Sequence, residues 1–333
     1  MADASRSCWC GADSLRAFGP DYLRCTACET LVGQAGLTDK ETLVRDDEVD
    51  FYGKRYWLEF QPEAWGYPDV YVRARQDLSE RCVHWLKTLL RYRQPPAKVL
   101  EIGAGPGTYT ALLRWAGYEA TALDLSTWVA EFAKARFGIP YLVGSVESQN
   151  LRRRSFDVVV GNDVLEHLPE PEATMRRCVE LLKPDGVLVI QTPEFQCGRR
   201  YEELVAEGDL FLEHMRKARE HLYLFSRKAL ELLLGRLGVG EIAFEEPAYP
   251  YDMQCVASAA PLQPTDGDPS GLATAAPAGP LVLALIDAHA ALKESEADRQ
   301  ARLAVIEQLD AALKGERSLP KRGWRWLRGV TRP

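Results

Sequence analysis

The stretch Val99-Leu100-Glu101-Ile102-Gly103-Ala104-Gly105-Pro106-Gly107-Thr108 joins a short apolar run to three glycines at alternate positions. Val99, Leu100 and Ile102 follow the loop-forming Gln94-Pro95-Pro96. Beyond Gly107 the residues Thr108, Leu112, Leu113 and Trp115 recur at helical spacing, with a hydroxyl at the expected N-cap. A strand, a glycine turn and a helix start make a βα unit that presents backbone N–H groups and a positive helix end to a cofactor.

The spacing narrows the cofactor. The pattern is E-x-G-x-G-x-G, whereas the dinucleotide fingerprint G-x-G-x-x-G needs its third glycine at 108, where Thr108 stands. The next predicted strand, Ala120 to Leu125, carries Asp124, an acid about twenty residues on that can accept both ribose hydroxyls. These residues resemble the class I S-adenosylmethionine-dependent methyltransferases: Glu101, Gly103, Ala104, Gly105, Gly107 and Asp124 fall on that family's first two motifs. The resemblance implies S-adenosylmethionine as cofactor.

After Asp124 strand and helix signals alternate, as a parallel sheet with helices on both faces requires. Strands are expected at Tyr141 to Val143, Phe156 to Val160 and Val187 to Gln191, with helices at Thr127 to Phe137, Pro171 to Leu182 and Ser226 to Leu237. Glu241 to Glu245 and Asp252 to Ser258 read as a closing antiparallel pair, which brings the expected count to seven strands. The resemblance, not the spacing, implies an α/β fold of the Rossmann-like seven-stranded kind, mostly parallel with one reversed strand.

The chain has 333 residues, 46% of them hydrophobic, and a net charge of −7, which gives no sign of a nucleic-acid partner. No apolar run approaches membrane-spanning length and Met1 to Ser7 is short and polar, so a cytoplasmic protein is expected. Four of eight cysteines stand at 8, 10, 25 and 28. In a reducing compartment such a cluster implies metal more often than disulfides, and Cys8, Cys10, Cys25 and Cys28 can supply a tetrahedron of thiolates to structural zinc. The arrangement resembles sugar and polysaccharide methyltransferases that begin with two C-x-x-C-G knuckles and continue into a Y-x-x-x-Y-W segment. The first pair here is C-x-C, and Glu29 replaces the second glycine.

Residues 50–65 are dense in aromatic side chains, and most are expected to pack on the main domain. By resemblance Tyr56 and Trp57 close over the methionine end of the cofactor. Ala74 to Arg93 reads as one amphipathic helix with Leu78, Cys82, Trp85, Leu86 and Leu89 on a single face. The expected organisation is a cysteine element over 1–45, an aromatic and helical cap over 46–95 and a methyltransferase domain over 96–259. A linker over 260–280, a long helix or coiled coil over 281–315 and a basic aromatic tail over 316–333 follow. The helix is a candidate for self-association, and the tail, with Trp324 and Trp326 among basic residues, for contact with the inner face of an anionic membrane.

In an open α/β sheet ligands bind outside the carboxyl ends of the strands, so the loops after Ile102, Leu123, Val143, Val160 and Ile190 should share one pocket. Asp124 is expected to grip the ribose, Leu125 to pack on the adenine, and Ser145 and Val146 to meet the adenine edge. Asn162 and Asp163 should face the methionine and sulfonium end. The family usually has an acid at Ser145, so adenine recognition there is weaker or shifts to backbone groups.

Methyl transfer to an alcohol needs a base, and histidine suits that task. His167, in Asp163-Val-Leu-Glu-His-Leu-Pro169, and His221, in Glu220-His-Leu-Tyr-Leu-Phe-Ser226, stand near strand ends, whereas His84, His214 and His289 lie in helical stretches without motif neighbours. His167 either acts as base or fixes its loop, and by resemblance the His221 segment lies on the acceptor side. The resemblance implies O-methylation of a sugar hydroxyl on a glycan, nucleotide sugar or natural product. Sugar C-methylation, nicotinamide-dependent oxidoreduction and a non-catalytic scaffold are the rival readings.

Overall fold

A computed structural model describes residues 6–317, and the chain divides into two units, residues 1–283 and 284–333. The strands of the described residues are β1 (Leu15–Phe18), β2 (Tyr22–Cys25), β3 (Leu31–Gly33), β4 (Lys98–Ile102), β5 (Glu119–Asp124), β6 (Tyr141–Val143), β7 (Phe156–Asn162), β8 (Leu182–Pro193), β9 (Tyr223–Leu224), β10 (Glu241–Glu245) and β11 (Asp252–Ser258). Seven of them form one sheet in the order β10-β11-β8-β7-β4-β5-β6. β11 runs antiparallel to both its neighbours, and the other pairings are parallel. The fold is therefore the expected α/β methyltransferase sheet with one reversed strand. Val99, Leu100, Val158, Val159, Val160, Leu188 and Ile190 are all buried, which explains the unbroken apolar runs of the central strands.

Helices Thr108–Trp115, Thr127–Phe137, Pro171–Leu181 and Arg227–Arg236 connect the strands. Ser126 and Ser226 cap the second and fourth of these by accepting the N–H groups of Val129 and Ala229, each at 3.1 Å. The first starts differently from expectation. Gly107, at φ 77°, takes the N-cap position, and Thr108 is the first helical residue with its hydroxyl buried. The expected helix from Ala74 to Arg93 is also interrupted: Val70–Asp77 and Val83–Tyr92 are joined by a π-helical turn, Leu78–Cys82.

The cysteine element is stitched to the main domain. β1, β2 and β3 form an antiparallel meander whose β3 pairs with β9 through Leu31↔Leu224 and Val32↔Tyr223. Tyr22, Leu31, Phe195, Phe211 and Leu224 share one apolar cluster, so residues from 195 to 224 supply core to a segment too small to have its own. The stretch expected as a linker is likewise held down. It contains the Leu272–Ala275 helix with Leu272 fully buried, and the Thr265 N–H donates to the Arg91 carbonyl at 2.7 Å.

The Gly279–Arg317 helix supplies the described part of the second unit, and along it Leu292, Leu303, Val305, Ile306, Leu309 and Leu313 are exposed. No helix of the described residues is long and apolar enough to cross a membrane. The basic tail from residue 318 onward lies outside the described residues.

Candidate active site

One cavity of about 310 Å³ opens at the carboxyl ends of β4 and β7. Gly103, Ala104 and Gly105 from the glycine turn, Glu101 from β4, Asn162 and Asp163 after β7, and Tyr56, His167 and His221 all line it. Gly103 and Gly105 have φ of 62° and 49°, a backbone that favours glycine. A Cβ at Gly105 would come within 2.7 Å of the Trp57 ring, so the indole lies directly against the turn.

The remaining expected cofactor residues are not in that lining. Gly107 packs against Ala133, Ile139 and Tyr141, and Val146 is buried in a separate apolar cluster with Leu123 and Phe156. Asp124 sits behind the turn. Its carboxylate accepts the N–H groups of Gly105 at 3.0 Å and Leu125 at 2.7 Å, while burial pushes its carboxyl above the usual range. The Ser145 hydroxyl accepts the Ser148 N–H at 3.3 Å and so closes its own turn. The Asp163 carboxylate, expected to face the sulfonium, pairs with Arg81 through Oδ2 at 2.6 Å and accepts from Gln191 Nε2 through Oδ1 at 3.0 Å.

Several buried polar atoms on the cavity make no hydrogen bond within the protein. They are both amide atoms of Asn162, the Thr108 hydroxyl, Trp57 Nε1, Asp252 Oδ1, and Nδ1 of His214 and His221. Polar groups taken out of water without partners cost free energy unless a ligand or water satisfies them, so this lining fits a polar molecule such as S-adenosylmethionine. Burial pushes the carboxyl of Glu101, which accepts from the Thr110 hydroxyl, up to about 8.

Three histidines meet in the other half of the cavity. The His167 and His221 rings lie edge to face at 4.9 Å, and His221 stacks on His214 at 5.6 Å. His167 Nδ1 donates to the Glu220 carbonyl at 2.9 Å, with the Tyr52 hydroxyl 3.2 Å away. Burial pushes all three imidazoles down, His214 to about 4. His214 was not expected here, because its helical surroundings carry no motif; only packing against His221 and Tyr251 brings it in.

Other site residues also escaped the sequence reading. The Glu220 carboxylate accepts from the Tyr56 hydroxyl and Trp65 Nε1, both at 2.8 Å, which ties the aromatic cap to the His221 segment. Glu166 accepts from the Thr192 hydroxyl at 2.9 Å, and the donor atoms of Glu166, His167 and His221 lie within 4.8 Å of one another. Asp252 opens β11 opposite Pro193, because the reversed strand begins where the parallel ones end. Burial and the nearby Asp163 push its carboxyl up to about 8.

The sequence profile of the family described as "Methyltransferase domain" matches residues 71–239, which is half of the chain. The chain belongs to that methyltransferase-domain family. Ubiquinone biosynthesis O-methyltransferase of Xanthomonas campestris pv. campestris is 35% identical over 108 residues, covering 31% of this chain and 45% of that protein. The enzyme of the same name from Haemophilus ducreyi is 36% identical over 105 residues, covering 28% and 44%. The chain thus aligns with less than half the length of these curated relatives. Among solved structures, a SAM-dependent methyltransferase of Thermotoga maritima aligns at 18% identity with a TM-score of 0.44, covering 60% of this chain and 98% of that one. The CMeT domain of the citrinin polyketide synthase aligns at 21% with a TM-score of 0.41, covering 53% and 52%.

The cysteine cluster lies outside the part matched to the methyltransferase-domain family. Cys8 Sγ is 3.5 Å from Cys28 Sγ and Cys10 Sγ is 3.7 Å from Cys25 Sγ, and all four sulfurs lie within 4.8 Å of one another. Four thiolates around zinc at about 2.3 Å have sulfur–sulfur edges of about 3.8 Å, so the donor set fits a tetrahedral ion. The two departures from the knuckle pattern leave the turns intact. The Gly11 N–H bonds the Cys8 carbonyl at 3.0 Å, and the Glu29 N–H bonds the Cys25 carbonyl at 2.9 Å. Glu29 holds φ 68°, where a knuckle glycine would sit, and its carboxylate is paired with Arg24.

Proposed function

We propose that the protein is an S-adenosylmethionine-dependent methyltransferase that O-methylates a sugar hydroxyl, with His167 as the general base. The observation that carries this reading is the oriented His167 ring on the same cavity as the glycine turn, with burial favouring its neutral form. A carbonyl oxygen only accepts, so the bond to Glu220 places the proton on Nδ1 and leaves the Nε2 lone pair to take the acceptor's hydroxyl proton. The bound cofactor supplies the activated methyl group. Glu101, Gly103, Ala104, Gly105 and Asn162 would hold its methionine end, with Tyr56 and Trp57 above. Asp124 would hold the ribose with its remaining lone pairs, and Leu125, Ser145 and Val146 the adenine. His221 packs against His167 and orients it. Trp65, Tyr67, Tyr249 and Tyr251 line the outer cavity, and aromatic faces suit the C–H faces of a sugar ring.

Structural zinc on Cys8, Cys10, Cys25 and Cys28 belongs to the same reading, since the four-stranded sheet it would hold also carries β9, adjoining His221. The exposed apolar positions Leu292, Leu303, Ile306 and Leu313 support self-association through residues 281–315.

Transfer of labelled methyl from S-adenosylmethionine to nucleotide sugars, lipid-linked glycans and a catechol tests the proposal, with NMR of the product separating O- from C-methylation. Methylation of the sugars on oxygen is expected. A phenol hydroxyl is the second reading, supported by the name of the curated relatives; label entering the catechol alone would establish it instead.

A further inference from the structure

The outer half of the cavity holds a cation without an acidic partner. Lys217 follows the Phe211–Arg216 helix, and its Nζ donates to the Tyr67 hydroxyl at 2.7 Å. The ammonium stands over the rings of Trp65 and Tyr67, 5.6 Å and 4.9 Å from their centroids. Among the described residues it forms no ion pair with a carboxylate. The other cations of this lining are spent: Arg81 on Asp77 and Asp163, Arg73 on Gln61 and Asp77.

The nearby carboxyls are also committed. Each Glu220 oxygen accepts a hydrogen bond, one from Tyr56 and one from Trp65, and Asp252 is bonded by Gln191 at 3.1 Å while burial pushes its carboxyl up to about 8. An ammonium has three donors, and Tyr67 uses one. Aromatic faces hold the cation in place but give no counter-charge, so the remaining N–H groups are oriented donors for an incoming anion. The Lys217 N–H donates to the His214 carbonyl at 3.2 Å and its own carbonyl accepts the His221 N–H at 2.8 Å, and Lys217 lines the same cavity as His167, His214 and His221.

We propose that Lys217 docks an anionic substituent of the methyl acceptor, a phosphate ester or a carboxylate, so that the protein methylates a sugar that already carries negative charge. The proposal rests on the reading of this cavity as a sugar-acceptor site, and binding without turnover tests it separately. The protein saturated with S-adenosylhomocysteine is titrated at low ionic strength with inorganic pyrophosphate, with D-glucuronate and with glucose.

At least one anion should bind, and Lys217→Met should weaken it about tenfold or more, whereas Lys217→Arg should stay within about threefold. Pyrophosphate binding alone assigns a phosphate-bearing acceptor, and glucuronate binding alone a carboxylate. Tyr67→Phe keeps the ring but frees Nζ, and should weaken the anion by a smaller factor; this variant decides the matter if Lys217→Met does not fold. No anion binding to the wild type, or equal binding to both Lys217 variants, overturns the proposal. Failure of every sugar in the methyl-transfer panel, with the Lys217-dependent binding intact, would instead count against the sugar reading alone.

Discussion

The His167 Nδ1 lies 2.9 Å from the Glu220 carbonyl oxygen, and this bond decides which ring nitrogen is basic. If Nε2 is the proton acceptor, His167→Ala should lower kcat by about 100-fold or more while leaving S-adenosylhomocysteine affinity nearly intact. Burial pushes the imidazole below its usual range, so the acid limb of the rate profile should lie below pH 6.5. Parallel loss of rate and cofactor affinity would make His167 a packing residue.

His214 should make the fold acid-sensitive. Its folded-state value of about 4 lies below the unfolded value near 6.5, so on acidification the unfolded chain takes up the proton first. Its favourable contribution is present above pH 6.5 and is lost as pH falls toward 4. With allowance for partial exposure this amounts to about 1–2 kcal/mol between pH 7 and pH 5. His214→Gln should flatten that slope in urea denaturation at the two pH values; an unchanged slope would show that His214 titrates normally.

Asp124→Ala should cost about 2–4 kcal/mol of S-adenosylhomocysteine affinity, read by titration calorimetry. The loss has two parts, because the carboxylate that would meet the ribose also anchors the Gly105 N–H. Unchanged affinity would place the cofactor elsewhere.

Purified protein should carry about one zinc per chain, and replacing Cys8 and Cys10 together should release it and lower the melting temperature. Elemental analysis without zinc refutes this. At Glu29 the left-handed backbone makes Glu29→Ala costlier than Glu29→Gly by about 1 kcal/mol, since both lose the Arg24 pair but only alanine keeps the strain.

The sheet and the glycine turn were legible because their signals are local: apolar runs of strand length, glycines whose φ the turn demands, and serines that cap helices at Ser126 and Ser226. His167 and His221 stood out by their place after strand ends. The cysteine spacing also marks a four-sulfur cluster, and the four sulfurs lie within 4.8 Å of one another. Thr108 misled as an N-cap because the adjoining Gly107 takes that position, a competition that composition does not reveal.

The sequence by itself determined the apolar strands, the glycine turn and the two candidate histidines His167 and His221, since each rests on residues near in the chain or on strand periodicity, while the type of sheet followed from the family resemblance those residues carry. Only the tertiary structure decided what else shares the cavity. His214 reaches it by stacking on His221, Asp252 by the reversal of β11, and Glu220 by bonding Tyr56 from 164 positions away. It also gave Asp163, on the cavity lining, a partner in Arg81, 82 residues earlier. Such pairings depend on how elements pack, and no local periodicity encodes which distant side chain will meet another across a buried interface.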